Sequence, residues 1–316
     1  MNDILKRLVK KAASFFGLTI SRRKAEKAAH AREQGDLDPY PIKLHGFDVL
    51  LNAGNTYPDI TRALTYFNAP LVELVNQAHA ALGRPISFID VGAATGDTVL
   101  LLEQRCAGKV GSYICFEGDD EFEQLLRGNM RQFDTVRIIK TLLASERKSI
   151  PSLEKHHRGS ASATGTNLRP AEPLDSFVGE MAKGVDVLKI DVDGYDGEVL
   201  AGGKHLLEKF KPWVIFEWHP MLIERAGTDF LRPFAVLHEC GYRRLLWFDN
   251  SGSFSHFAEF PSPTTLEEWN RYLLMVNGRR RQHFDVIALP DTAPRVEVEL
   301  AAMEYARHVS VTLPVQ

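Results

Sequence analysis

The sequence predicts an α/β fold, doubly wound around a mostly parallel sheet of seven strands, with an N-terminal helical extension. Three observations carry this expectation. From Ile86 onward, short apolar runs alternate with helical patterns, as in strands joined by crossover helices. The runs do not themselves alternate apolar with polar, which suits strands covered on both faces. Five of them stop at acidic or polar residues, at the carboxyl ends where open sheets of this kind hold ligands.

The first strand is Ile86–Val91, and it runs into Gly92-Ala93-Ala94-Thr95-Gly96 before a helix begins at Asp97. That helix extends to about Ala107, with Gly108 as its C-terminal cap. The second strand is about Ser112–Phe116 and ends at Glu117-Gly118. A helix starting near Asp120 carries Glu123 three residues on, a capping-box-like pair. Strand three is Val136–Leu142. Residues 146–173, rich in Ser, Gly, Thr and Pro, break the alternation and read as a hairpin or loop, either covering a site or forming a surface excursion. Strand four, Val185–Ile190, ends in Asp191-Val192-Asp193-Gly194-Tyr195, and a helix follows to about Lys209. Strand five, Trp213–Phe216, ends in Glu217-Trp218-His219-Pro220. A helix over 229–240 leads to strand six, Arg243–Phe248, which closes at Asp249-Asn250-Ser251-Gly252. A helix over 265–276 precedes the last strand, Phe284–Leu289. Upstream, 59–82 reads as one helix stopped by Gly83-Arg84-Pro85, and 33–60 as a connector with a short strand around Phe47–Leu51.

This pattern divides the chain into an N-terminal basic amphipathic helix and connector (1–56), one domain (57–290) and a C-terminal tail (291–316) with a helical middle at 296–307. On residues 2–20, Ile4, Leu5, Leu8, Val9, Ala12, Phe15 and Phe16 share one helical face. The surrounding Lys and Arg residues suit either contact with anionic lipid or a solvated linker. No apolar run is long enough to span a bilayer, and no small-x-small cleavage site follows the first apolar stretch. A cytoplasmic location is expected, with contact at the inner face of the membrane as the less favoured reading of this helix. The net charge of -3 excludes bulk electrostatic attraction to nucleic acid. Three separate cysteines, Cys106, Cys115 and Cys240, argue against a disulfide framework or a zinc cluster.

The strand ends carry the chemistry. Gly92 and Gly96 allow a tight turn into a helix N-terminus, a place for a nucleoside cofactor. Glu117, 25 residues beyond Gly92, can accept hydrogen bonds from ribose hydroxyls. A dinucleotide fingerprint needs G-x-G-x-x-G, whereas here position 94 is Ala and the spacing is G-x-x-x-G. Asp90, just before the turn, suits a ligand with an ammonium group. With the later strand ends added, S-adenosylmethionine is favoured over NAD. Asp191, Asp193, Glu217 and His219 lie at two neighbouring strand ends, where a base for an acceptor hydroxyl would sit. His219 is the first choice because an unperturbed imidazole titrates near neutral pH. Asp191, Asp193 and Glu217 also have the ligand types for a divalent cation such as Mg²⁺, but nothing in their spacing is diagnostic and no metal is assigned.

Phe88-Ile89-Asp90-Val91-Gly92-Ala93-Ala94-Thr95-Gly96-Asp97-Thr98, Cys115-Phe116-Glu117-Gly118-Asp119, Leu174-Asp175-Ser176-Phe177, Val185 to Asp196 and Val199-Leu200-Ala201-Gly202 resemble the FkbM family of methyltransferases. So do Phe216-Glu217, Asp249-Asn250-x-Gly252 and Phe284-Asp285-Val286-Ile287. The Lys-Ile-Asp-Val-Asp-Gly-Tyr-Asp block is the most specific piece. The resemblance covers about 57–290. It implies a class I methyltransferase (Rossmann-like) fold, S-adenosylmethionine and O-methylation, often of sugar hydroxyls in glycans or of secondary metabolites. It places the cofactor on Asp90, Gly92, Gly96, Asp97 and Glu117, and the acceptor side on Asp191, Asp193 and Glu217; Ala94, in the same turn, is read as a further cofactor contact. Two positions depart from it: Ala94 stands where the family often has Asn, and His219 where it often has Asp, so the base assignment is not inherited. The expected partner is a glycan or small-molecule hydroxyl acceptor, and oligomeric state is not encoded in any motif.

Overall fold

The computed structural model describes residues 39–64, 66–155, 161–181, 184–280 and 282–301. The segment at 2–20, its proposed lipid contact and most of the C-terminal tail lie outside the described residues; of the expected tail helix, 297–301 are helical. The first elements are strands β1 (Tyr40–Leu44) and β2 (Phe47–Leu51), then helices α1 (Tyr57–Ala63) and α2 (Ala69–Leu82). The sheet opens with β3 (Ile86–Val91), α3 (Asp97–Arg105), β4 (Val110–Glu117), α4 (Asp120–Met130) and β5 (Val136–Lys140). Next come β6 (Leu142–Leu143), β7 (Lys148–Lys155), β8 (Ala161–Glu172), a 3₁₀ turn (Leu174–Glu180) and β9 (Val187–Ile190). The rest is α5 (Asp196–Gly202), α6 (Lys204–Phe210), β10 (Trp213–Trp218), α7 (Pro220–Ala226), α8 (Arg232–Glu239), β11 (Tyr242–Asp249), β12 (Phe254–Glu259), α9 (Pro263–Arg280) and β13 (Phe284–Pro290).

The central sheet has the order β12-β11-β13-β10-β9-β3-β4-β5. Strands β5, β4, β3, β9 and β10 are parallel, whereas β13 runs antiparallel between β10 and β11. The expected seven strands are therefore eight. The extra one, β12, pairs antiparallel with β11 at the edge and alternates half-buried with exposed residues. A search for continuous apolar runs passes over such a strand, because only one of its faces is covered.

Apolar side chains fill both faces of the sheet. Phe88, Val99, Leu100, Leu102, Leu74 and Val75 belong to one cluster, and Ile190, Val199, Leu206, Phe216, Leu237 and Trp247 to the other. At about 25 cal/mol per Å² of buried apolar surface, these layers are the main force holding the sheet together. The hairpin β1–β2, expected as part of the connector, belongs to the unit that begins at Pro39. Leu44 and Val49 join the first cluster, and Asn129 bonds both backbone groups of Leu50.

Two local expectations change. The single helix over 59–82 is two helices, because Asn68 adopts a left-handed backbone (φ 61°) and Pro70 can begin a helix but not continue one. Helix α4 is capped by Asp119, whose carboxylate accepts from the N–H groups of Glu121 and Phe122; Glu123 pairs instead with Arg127 and Lys140. Residues 146–173, read as a hairpin or loop, form the hairpin: β7 and β8 pair antiparallel, and β6 adds to β8.

Candidate active site

A cleft of about 570 Å³ lies at the carboxyl ends of β3, β4, β9 and β10. Its floor includes Gly92, Ala94 and Asp97 from the first turn, Glu117 from β4, and Lys189, Asp191, Asp193, Glu217 and His219 from β9 and β10. Ile150, Leu153, Ala161 and Ala163 of the hairpin β7–β8 form one wall, and Tyr57 and Asn68 another.

The turn is shaped by close backbone approaches. Gly92 has φ +81°, and a Cβ there would lie 1.9 Å from the carbonyl oxygen of Asp191. No side chain fits, so the ends of β3 and β9 touch at this point. Asn68, Ala94 and Asp193 hold left-handed backbones at φ 61°, 44° and 50°, and all three line the cleft. Such conformations cost energy in residues with a Cβ and gather where a structure fixes a site.

Glu117 is buried and is held by the turn itself. Its Oε2 accepts from the Ala94 N–H and its Oε1 from the Asp119 N–H, each at 2.8 Å. A carboxylate has about four acceptor positions, so two remain for hydroxyls. Burial pushes its pKa up to about 7, with those N–H groups working against the rise. Asp97, at the first position of α3, is likewise raised to about 7 by burial. Asp90 sits differently from the expectation. It is fully buried beneath the cleft, outside its lining, where Lys189 Nζ reaches its Oδ1 at 3.1 Å. Burial raises its pKa, and Lys189 opposes the shift. Gly96 also stands behind the lining, packed on the Met130 side chain.

The other end of the cleft gathers Asp191, Asp193, Glu217 and His219. Asp191 is half exposed and lies 3.5 Å from Lys189. Asp193 accepts the Ala161 N–H at 3.0 Å, tying β9 to the hairpin wall, and burial beside Asp191 raises its pKa to about 7. Burial, then the charges of Asp191 and Asp193, pushes Glu217 well above the usual carboxylate range. His219 is buried and stacks on His283, with ring centroids 4.7 Å apart. Burial and that neighbour lower its pKa to about 3. The premise of an unperturbed imidazole therefore fails: His219 stays neutral across the physiological range and is a weak base. Its Nδ1 has no partner, nor has Glu217 Oε2.

Sequence reasoning missed Lys189, His283 and Asp285 in this lining. Lys189, a lysine inside an otherwise apolar strand, was a readable signal. Burial would lower its pKa, but Asp90 and Asp191 hold it above the ordinary lysine value. Asp285 is the register partner of Glu217 across β10–β13, and burial beside Asp191 raises its pKa to about 7. His283 Nε2 lies 3.3 Å from Glu217 Oε1. Asp249, at the end of β11, instead caps its own turn, accepting from the backbone of Ser251 and Ser253. Among the described residues, no group of three or more His, Cys, Asp or Glu side chains is arranged to hold a metal ion.

The sheet order, the crossover helices and the cleft at the strand ends define a class I methyltransferase architecture. Residues 90–244 match the family model of the methyltransferase FkbM domain, a match that implies S-adenosylmethionine as cofactor. Among solved structures, an FkbM methyltransferase from Methylobacillus flagellatus KT is similar at 15% identity and a TM-score of 0.42, over 65% of this chain and 43% of that one. This chain thus matches less than half of that protein's length. Precorrin-6y C5,15-methyltransferase from Geobacter metallireducens GS-15 is similar at 11% identity and a TM-score of 0.37, over 69% and 87% of the two chains. A fibrillarin pre-rRNA processing protein of Methanococcus jannaschii is similar at 11% and 0.37, over 65% and 67%. Likenesses this remote carry nothing about substrate. No curated protein matches the chain.

Proposed function

We propose that the chain is an S-adenosylmethionine-dependent O-methyltransferase acting on a sugar hydroxyl of a glycan or its precursor. One observation supports this most: a single cleft runs from the glycine turn and Glu117 to the carboxylates of Asp191, Asp193 and Glu217. Donor and acceptor can then meet in line, the arrangement that methyl transfer requires. The acid-rich lining fits a cofactor that carries an ammonium and a sulfonium, and Glu117 keeps acceptor positions for ribose hydroxyls. When bound, that cofactor supplies an electrophilic methyl carbon.

The residues of the chain do the rest. The turn and Glu117 orient the nucleoside. The hairpin wall, with Ile150 and Leu153, keeps water from the reacting centre. Asp193 takes the proton of the acceptor hydroxyl as the new C–O bond forms. A carboxyl raised to about 7 suits that role near neutral pH better than an imidazole lowered to about 3. Glu217, His219 and His283 position the acceptor and that carboxyl. Full-length protein should be stabilised against heat by S-adenosylhomocysteine and not by NAD. Stabilisation by NAD alone would reject this reading.

A further inference from the structure

The charge of the cleft says more about the acceptor. Six carboxyl groups line it: Asp97, Glu117, Asp191, Asp193, Glu217 and Asp285. Among the described residues, Lys189 is the one lysine or arginine in the lining, and it is already engaged by Asp90 and Asp191. His219 offers no cation, since burial and the stacked His283 ring lower its pKa to about 3, and His283 lies against Glu217. His219, more than nine-tenths buried, also leaves its Nδ1 without a partner, and Glu217 Oε2 is unpartnered beside it. A hydroxyl or an ammonium can donate to such atoms.

We propose that the acceptor carries no phosphate or carboxylate on the part that enters the cleft: it is an uncharged or amine-bearing polyol unit. The claim rests on the methyltransferase reading above and adds a rule of charge. An anion placed here meets the charge of Asp191 beside carboxyls that burial and mutual repulsion have already pushed up, in a partly desolvated space where repulsion is several times stronger than in water. It also finds no arginine fork or free lysine to hold it. As the C–S bond breaks and the C–O bond forms, the sulfonium charge is lost and the hydroxyl proton moves to a carboxylate. The net charge of the loaded site is unchanged by this step.

The full chain, saturated with S-adenosylhomocysteine, is titrated with glucosamine, glucose, glucuronate and glucose 6-phosphate while its melting temperature is followed. In parallel it is incubated with labelled S-adenosylmethionine and a cell extract, and the methylated unit is released by hydrolysis and passed over an anion exchanger. The expected result is no stabilisation by the two anions and a labelled unit that passes through. A larger shift with glucuronate or glucose 6-phosphate than with glucose overturns the proposal, and so does a label on a uronic acid or sugar phosphate. Asp191→Asn, at a half-exposed position where folding is spared, should narrow the preference for neutral over anionic acceptors by about tenfold; an unchanged preference counts against the rule. If S-adenosylhomocysteine gives no stabilisation and no label is transferred, the methyltransferase reading itself fails, an outcome distinct from label on an anion.

Discussion

The two ends of the cleft are built in opposite ways. At the Gly92–Glu117 end, geometry is fixed by backbone: a glycine that admits no side chain, and a carboxylate braced by two N–H groups. At the Asp191–His219–Asp285 end, side chains crowd each other, pKa values are displaced, and buried polar atoms lack partners. The first arrangement needs little from its ligand to be in order. The second is costly in itself, because crowded buried carboxyls and unpaired polar atoms both cost free energy. A general cofactor suits the first end, and a selective acceptor the second.

The largest effect should come from breaking the backbone-built end. Gly92→Ala forces a Cβ against the Asp191 carbonyl and is expected to cost about 3 kcal/mol or more, read by denaturant unfolding. A loss below about 1 kcal/mol would show that the two strand ends move apart easily.

Removing Asp193 tests the other end. Asp193→Asn should lower turnover about a hundredfold or more while the affinity for S-adenosylhomocysteine stays within a few-fold. The wild-type rate should rise with pH through about 7, since the base must be deprotonated to act. A profile flat from pH 5 to 9 would return the role to His219, whose pKa near 3 keeps it deprotonated throughout that range.

Glu117→Gln sharpens the contrast from the donor side. An amide cannot accept on both sides, so one of the two N–H groups meets another donor. Affinity for S-adenosylhomocysteine should fall about tenfold, measured by calorimetry, with the fold intact.

A further effect concerns pH and stability. Asp285 is raised to about 7 in the folded chain, above an unfolded value near 3.9. Between those values the folded state binds more protons, so this group's contribution to stability falls as pH rises through the window. Asp285→Asn should therefore match the parent at low pH and exceed its stability at pH 8, in paired thermal melts without cofactor. Equal melting temperatures at pH 8 would mean that Asp285 is not held in a desolvated, acid-rich setting.

Much of this was legible from residue order. The glycine turn, Glu117 and the Asp191–Asp193 and Glu217–His219 ends all fall in one cleft, because carboxyl ends of neighbouring parallel strands share an edge. Asp285 and His283 were not legible for the same reason. They precede or begin β13, and only its antiparallel direction brings the start of that strand to the edge where the others end. The hairpin over 146–173 was legible only as one of two readings, hairpin or loop, since Gly and Ser give weak strand signals until packing covers one face.

The sequence by itself determined the parallel core, the turn and the family motifs, because these depend on local periodicity and on residue types at fixed spacing. Only the tertiary structure decided that Asp90 is buried on Lys189, that His219 is a neutral imidazole, and that Asp285 faces Glu217. Burial and through-space charge set those properties, and both arise from groups far apart in the chain.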